Sequence, residues 1–139
     1  MKTIAISGAS GFVGSSLNKY FSNLNYKVIS ISRDVLNNQE KLNEVISSSD
    51  IIINLAGANI INRWSESYKK LLYSSRIDTT SKIVNTINTI TNKPKLLIST
   101  SAVGIYDNKS TYDEKGNYSN DFLSNLCQDW EKEALKAKN

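Results

Sequence analysis

Histidine is missing altogether from the 139 residues. Its absence removes Ser-His-Asp and Cys-His nucleophilic catalysis, and the usual histidine-containing zinc sites, from what this chain can do alone. No metal site is expected. Cysteine occurs once, as Cys127, so no disulfide closes within the chain. A lone thiol suits a reducing compartment, and on a helix it is expected to pack as a small hydrophobe. Long apolar runs are also missing: none approaches the roughly 20 residues of a membrane span. The Met-Lys start leads directly into a strand, without the apolar core and small-residue cleavage site of a signal peptide. A cytoplasmic protein with no membrane partner is the expectation. Charge of one sign is modest at +4, and the lysines are scattered among acids. That pattern argues against nucleic-acid binding, while a mild positive potential suits an anionic ligand.

What is present describes one ordinary soluble domain, 40% hydrophobic and 22% charged, with no repeat, low-complexity tract or linker. Glycine is scarce at six residues, yet Gly8, Gly11 and Gly14 fall together. Ile4-Ala5-Ile6-Ser7 before them reads as a buried strand, and Ser15-Ser16-Leu17 after them opens a helix. A strand, a glycine turn and a helix N-terminus in that order make an anion site. The first-turn N–H groups lack intrahelical partners, and the helix dipole adds positive charge. Gly8 is expected to turn the chain, Gly11 to admit a phosphate, and Gly14 to let helix and strand pack closely. Ser10, Phe12 and Val13 complete the loop.

The chain then alternates. A helix over Phe12–Asn23 carries Val13, Leu17, Tyr20, Phe21 and Leu24 on one stripe. Tyr26–Ser32 is a second strand ended by Arg33-Asp34, and Glu40, Leu42, Val45 and Ile46 then suggest a short helix ending near Ser47-Ser48-Ser49. Asp50–Leu55 is a third strand, apolar without alternation, as befits a parallel strand covered on both faces. Ser65 caps a long helix, Glu66 to about Thr91, whose inner side carries Leu72, Thr79, Ile83, Val84, Ile87 and Ile90. Pro94 precedes a fourth strand, Lys95–Thr100; a tyrosine-containing loop covers 102–120; Asp121 caps a last helix to about Ala137. This order predicts a doubly wound α/β/α fold of Rossmann type, with a parallel sheet in the order 3-2-1-4. The switch point then lies between strands one and four, beside the glycine turn.

Ser32-Arg33 stands where dinucleotide folds choose their ligand. NAD sites usually place an acid there for the ribose 2′-OH; a guanidinium and a hydroxyl suit a 2′-phosphate, so NADP is favoured over NAD. Asp34 opposes this if it points inward. Leu55-Ala56-Gly57 offers small residues against which a cofactor can lie. Ser99, Thr100 and Ser101 end strand four, where hydroxyls can polarise a substrate oxygen or simply hold the loop. Arg76 falls near the inner side of the long helix and needs an anion. Arg63-Trp64, before that helix, can cover a substrate or anchor the loop.

Together these residues resemble the extended short-chain dehydrogenase/reductases, and within them the atypical "epimerase family protein" branch. The segments that carry the resemblance are Asn54–Ile60, Arg63-Trp64, Ser75-Arg76-Ile77 with Thr79-Thr80, Ser101–Tyr106, and Asp121-Phe122-Leu123 with Trp130-Glu131. The resemblance implies a Rossmann fold and NADP. It places the cofactor against Gly8, Gly11, Gly14, Ser32, Arg33, Leu55, Ala56 and Arg76. Extended reductases move their proton with a tyrosine followed four residues later by a lysine. No tyrosine here has such a lysine; Leu123 and Cys127 stand at the corresponding place. Ser101 and Tyr106 are the remaining catalytic candidates, with Tyr112 and Tyr118 nearby.

The family runs to about twice this length. A fragment is therefore expected, with the substrate domain absent and strand four left as an open edge that a second copy covers. The functional expectation is the NADP-binding domain of an epimerase-like oxidoreductase acting on a small, nucleotide-sugar-like substrate. Two alternatives stand beside it: a non-catalytic dinucleotide-binding module, and a flavodoxin-like domain holding FMN, against which Ser32-Arg33 and Leu55-Ala56-Gly57 argue.

Overall fold

In the computed structural model, which describes residues 1–138, a four-stranded parallel sheet lies between helices. Its elements are β1 (Thr3–Ser7), α1 (Phe12–Asn23), β2 (Lys27–Ile31), α2 (Arg33–Leu36), α3 (Gln39–Ser47), β3 (Ile51–Asn54), α4 (Glu66–Thr89), β4 (Leu96–Ser99) and α5 (Phe122–Ala134). A single 3-10 turn, Val103–Ile105, lies in the loop before α5. The Rossmann-type α/β architecture is as expected; the strand order is not. The sheet runs β2-β1-β3-β4, and the expected 3-2-1-4 is corrected accordingly.

The reason lies in the third strand. Ile51-Ile52-Ile53 is apolar on successive residues and needs cover on both faces. A place outside β2 would leave it on an edge. Between β1 and β4 it is hydrogen-bonded on both sides, and Ile52, Ile53 and Asn54 are buried. The crossover through α2 and α3 therefore carries the chain to the far side of β1. The switch point moves with it and falls between β1 and β3, where Ser7 sits opposite Asn54.

β1 is the buried axis of the sheet. Its alternate residues feed two cores. Ile4 and Ile6 join Ile53 beneath α1, with Leu17 and Phe21 packed against them. Ala5 joins Ile31, Leu42, Ile46, Ile52, Ile83 and Ile87 on the face covered by α3 and α4. The stripe expected on α1 is narrower than its pattern suggests: Val13, Tyr20 and Leu24 are each more than half exposed. α1 meets the sheet through Gly14, which rolls Leu17 and Phe21 inward and leaves the flanking positions in solvent. On α4 it is Thr80 that is buried, with Thr79 only partly so. Arg33 and Asp34 do not simply end β2; with Ser32 as cap they open the one-turn α2. The outer edge of β4 is open, and Leu96 and Ile98 are nearly half exposed. Cys127 is buried, as its packing role requires. No helix among the described residues is long and apolar enough to cross a membrane.

Asp50 fastens three strands at the other end of the sheet. Its Oδ2 accepts the Thr3 N–H at 2.9 Å, and Lys95 Nζ lies 3.5 Å from Oδ1. The Thr3 hydrogen bond, helped by Lys95, holds the carboxyl below its ordinary value of 3.8. A carboxyl depressed in the folded state stabilises above its unfolded value, and that stabilisation fades as pH falls through the folded value. Asp50→Asn should therefore lower stability at pH 7 and approach the parent below pH 3.8, read by urea unfolding at both pH values.

Candidate functional site

Gly8 leaves β1 with φ +71°, a left-handed conformation that glycine adopts without strain. A β-carbon there would also stand 3.0 Å from the Leu55 carbonyl group. The turn is thus pressed against the loop that leaves β3. Gly14 is tighter still: a β-carbon on it would collide with the Gly8 carbonyl oxygen. Gly11 precedes α1, its N–H bonded to the Gly8 carbonyl at 3.0 Å. No side chain caps α1, and no acid lies in its first turn. The first-turn N–H groups therefore face a cradle suited to an anion. Ser10, Phe12 and Val13 surround it with exposed side chains.

Beneath the turn lies a buried polar network. Ser7 Oγ donates to Asn54 Oδ1 at 2.5 Å and accepts the Leu55 N–H at 3.2 Å. Asn54 Nδ2 donates to Thr80 Oγ1 at 2.8 Å and to Ser99 Oγ at 3.4 Å. Thr80 Oγ1 donates to the Arg76 carbonyl at 2.7 Å and accepts Trp130 Nε1–H at 2.9 Å. β1, β3, β4, α4 and α5 are thus joined at the switch point. Asn54, Thr80 and Trp130 lie in segments that carry the resemblance, but their spacing gives no sign that they join Ser7 in one polar network. The available signal was Asn54 itself, a polar residue ending a run of isoleucines that must be buried.

Register places the ends of β2, β1, β3 and β4 side by side, so Ser32, Gly8, Leu55 and Thr100 emerge along one rim. Ser32 Oγ accepts the Val35 N–H at 3.3 Å, which leaves its own proton free to donate. Arg33 is exposed at the start of α2. Asp34 is held by Lys41 at 2.6 Å. Leu55 and Ala56 are partly buried along the rim, and Gly57 lies against Arg76.

Arg76 donates to the Leu72 and Ala58 carbonyls, each at 3.1 Å, and its guanidinium lies 5.4 Å from the centre of the Trp130 ring. It has no carboxylate partner among the described residues. Burial lowers its pKa, the signature of a cation drawn from water without a counter-ion. Trp64 packs edge-on against Phe122 at 5.8 Å and donates to the Ile60 carbonyl, so it anchors the loop before α4.

The catalytic candidates lie on the β4 side. Ser99 is engaged by Asn54, whereas Ser101 donates to Glu131 Oε1 at 2.5 Å. Tyr106 stacks on Tyr112 with ring centres 5.2 Å apart and tilts against Tyr118. Burial, then the neighbouring Tyr118, pushes its pKa upward, opposite to what a proton-transferring phenol needs. The Cys127 thiol is likewise raised by burial. Among the described residues no group of acids, cysteine and histidine has the makings of a metal site.

The family model described as "NAD dependent epimerase/dehydratase family" matches residues 4–125. The chain is 32% identical over 155 residues to the Arabidopsis thaliana "Epimerase family protein SDR39U1 homolog, chloroplastic", covering 97% of this chain and 45% of that protein. It is 34% identical over 146 residues to the Bacillus subtilis "Epimerase family protein YfhF", covering 94% and 48%. Human epimerase family protein SDR39U1 (isoform 2), solved with NADPH, superposes with a TM-score of 0.84 at 29% identity, over 95% of this chain and 48% of that one. The chain thus spans about half the length of the relatives it matches.

The Gly14 contact gives a direct prediction. Gly14→Ala puts its methyl into the Gly8 carbonyl and should cost about 2–4 kcal/mol, a large effect of the overpacking kind. Gly104→Ala, whose β-carbon would meet Leu123 at an ordinary 3.4 Å, should change stability by less than about 1 kcal/mol. Denaturant unfolding of the two variants separates the cases.

Proposed function

We infer, from the premise that this chain belongs to the NAD dependent epimerase/dehydratase family, that it is an NADP-binding domain. In the whole protein it serves an epimerase-like oxidoreductase acting on a small, nucleotide-sugar-like substrate. The observation that carries the NADP reading is the rim after β2. Arg33 is exposed beside a serine hydroxyl with a proton to give, and Asp34 is tied to Lys41. A guanidinium and a hydroxyl together suit a phosphate dianion and leave a plain 2′-OH poorly served. The human relative solved with NADPH supports the same choice.

The residues present fit a dinucleotide. The cradle at Gly8 and Gly14 is shut to any side chain, and the first-turn amides of α1 are open to a pyrophosphate. Arg76, half-buried and without a carboxylate, supplies a second positive point beside Gly57 and Ala58. Leu55 and Ala56 give the cofactor a wall. Bound NADP supplies hydride transfer; the chain's own part is to orient it and to set the charge around it.

One observation favours a second reading, a dinucleotide-binding module without turnover. The tyrosine–lysine pair is absent, and the candidate loop tyrosine, Tyr106, is shifted away from proton transfer. Both readings require the dinucleotide. The β2-β1-β3-β4 order also occurs in FMN-binding sheets, which makes FMN the proper control ligand.

The test is a fluorescence titration with NADPH, NADH and FMN. NADPH should bind more tightly than NADH, and Arg33→Ala should weaken NADPH by about 10- to 100-fold, the weight of one charge-assisted phosphate contact. NADH should be almost unaffected. Equal affinity of the parent for NADPH and NADH removes the assignment to Arg33, and preference for FMN removes the dinucleotide reading.

A further inference from the structure

The carboxyl end of β4 opens onto a cavity of about 350 Å³ between that strand and α5. Its polar wall is formed by Ser99, Thr100, Ser101 and Glu131. Of the three hydroxyls, Thr100 Oγ1 donates to the Asn54 carbonyl at 3.1 Å, and Ser99 Oγ accepts a longer bond from Asn54 Nδ2 at 3.4 Å. Ser101 is different, because it donates its proton to Glu131 Oε1.

Glu131 also differs from the other acids of its helix. Asp129 pairs with Lys132, and Glu133 with Lys136. Glu131 has no cationic partner among the described residues, and the carboxylate borders the cavity. The other titratable groups around it are Cys127 on its own helix, Arg76 from α4 beside Cys127, and Tyr106 from the loop after β4. The Cys127 thiol and the Tyr106 phenol are both shifted away from ionising. No lysine or histidine lines the cavity. The carboxylate that accepts the Ser101 hydrogen bond is the group placed to take a proton.

We propose that Glu131, acting through Ser101, accepts the proton of a substrate hydroxyl and so stands in for the missing tyrosine–lysine pair. This rests on the NADP reading above. Since its proton is committed to Glu131, Ser101 offers the cavity a lone pair. The matching ligand group is an O–H donor, an alcohol or sugar hydroxyl, rather than a carbonyl. The step balances. The alcohol carbon loses hydride to oxidised NADP while its O–H proton passes to Ser101 Oγ. The Ser101 proton passes to the Glu131 carboxylate, the C=O bond forms, and Glu131 ends neutral. Glu131 is the positioning and proton-storing residue, and Ser101 touches the substrate.

The test uses the chain with its glutamate side-chain carboxyls labelled with carbon-13. The Glu131 resonance is assigned by its loss in Glu131→Gln. NADPH fluorescence on the same samples checks the underlying reading independently. With NADP⁺ present, cyclohexanol should move the Glu131 carboxyl resonance, and cyclohexanone at the same concentration should move it at least fivefold less. Ser101→Ala should abolish the difference, and Ser101→Thr, which keeps the hydroxyl, should restore it. Equal responses to the two probes, no response despite bound NADP⁺, or an unchanged response in Ser101→Ala overturns the proposal. Absence of NADPH binding overturns the dinucleotide reading, and this proposal with it.

Discussion

The carbonyl oxygen of Gly8 occupies the space a β-carbon on Gly14 would need. That contact is the constraint on which the site depends. It sets the first turn of α1 directly against the end of β1, with its N–H groups open. It also decides which α1 residues reach the sheet, since a helix seated on Gly14 can bury Leu17 and Phe21 but not Val13 or Tyr20. The left-handed turn at Gly8 then brings the loop against Leu55, so the ends of β1 and β3 share one rim.

A tight turn needs a firm base, and the base here is polar. Asn54 is buried at the carboxyl end of the central strand β3 and uses its side chain toward Ser7, Thr80 and Ser99. Buried amides are costly when unpaired and stiffening when fully paired. Among the described residues no buried side-chain nitrogen or oxygen lacks a partner. The network reaches Trp130 through Thr80, and Trp130 carries the Arg76 guanidinium on its ring. The cationic end of the site is thus positioned by the same chain of contacts that joins the strands.

Much of this was legible in the sequence because it is local. The glycine spacing, the isoleucine run, the serine cap before α4 and the aspartate cap before α5 each depend on a few neighbouring residues, and each fell where the pattern placed it. The strand order was not legible. Whether β3 sits outside β2 or beside β1 turns on which site buries Ile51-Ile52-Ile53 more completely, a property of the assembled sheet. Val13 and Tyr20 fit a helical stripe by spacing and are nonetheless exposed, because the depth of a helix against its sheet is invisible to periodicity. The Ser101–Glu131 contact joins residues thirty apart, and no local spacing announces it. Arg33 was picked out by its place after β2; the release of Asp34 to Lys41 became visible only with α2 and α3 in position.

The role proposed for the open N–H groups at the start of α1 is to receive the pyrophosphate of a dinucleotide. Backbone ¹H–¹⁵N spectra recorded through a titration with NADP⁺ test it most directly. The largest shifts should fall on the amides of Gly8 to Gly14, with smaller ones at Ser32, Arg33 and the residues just after β3. Saturable binding that leaves those amides unmoved, or no binding at all, would contradict it.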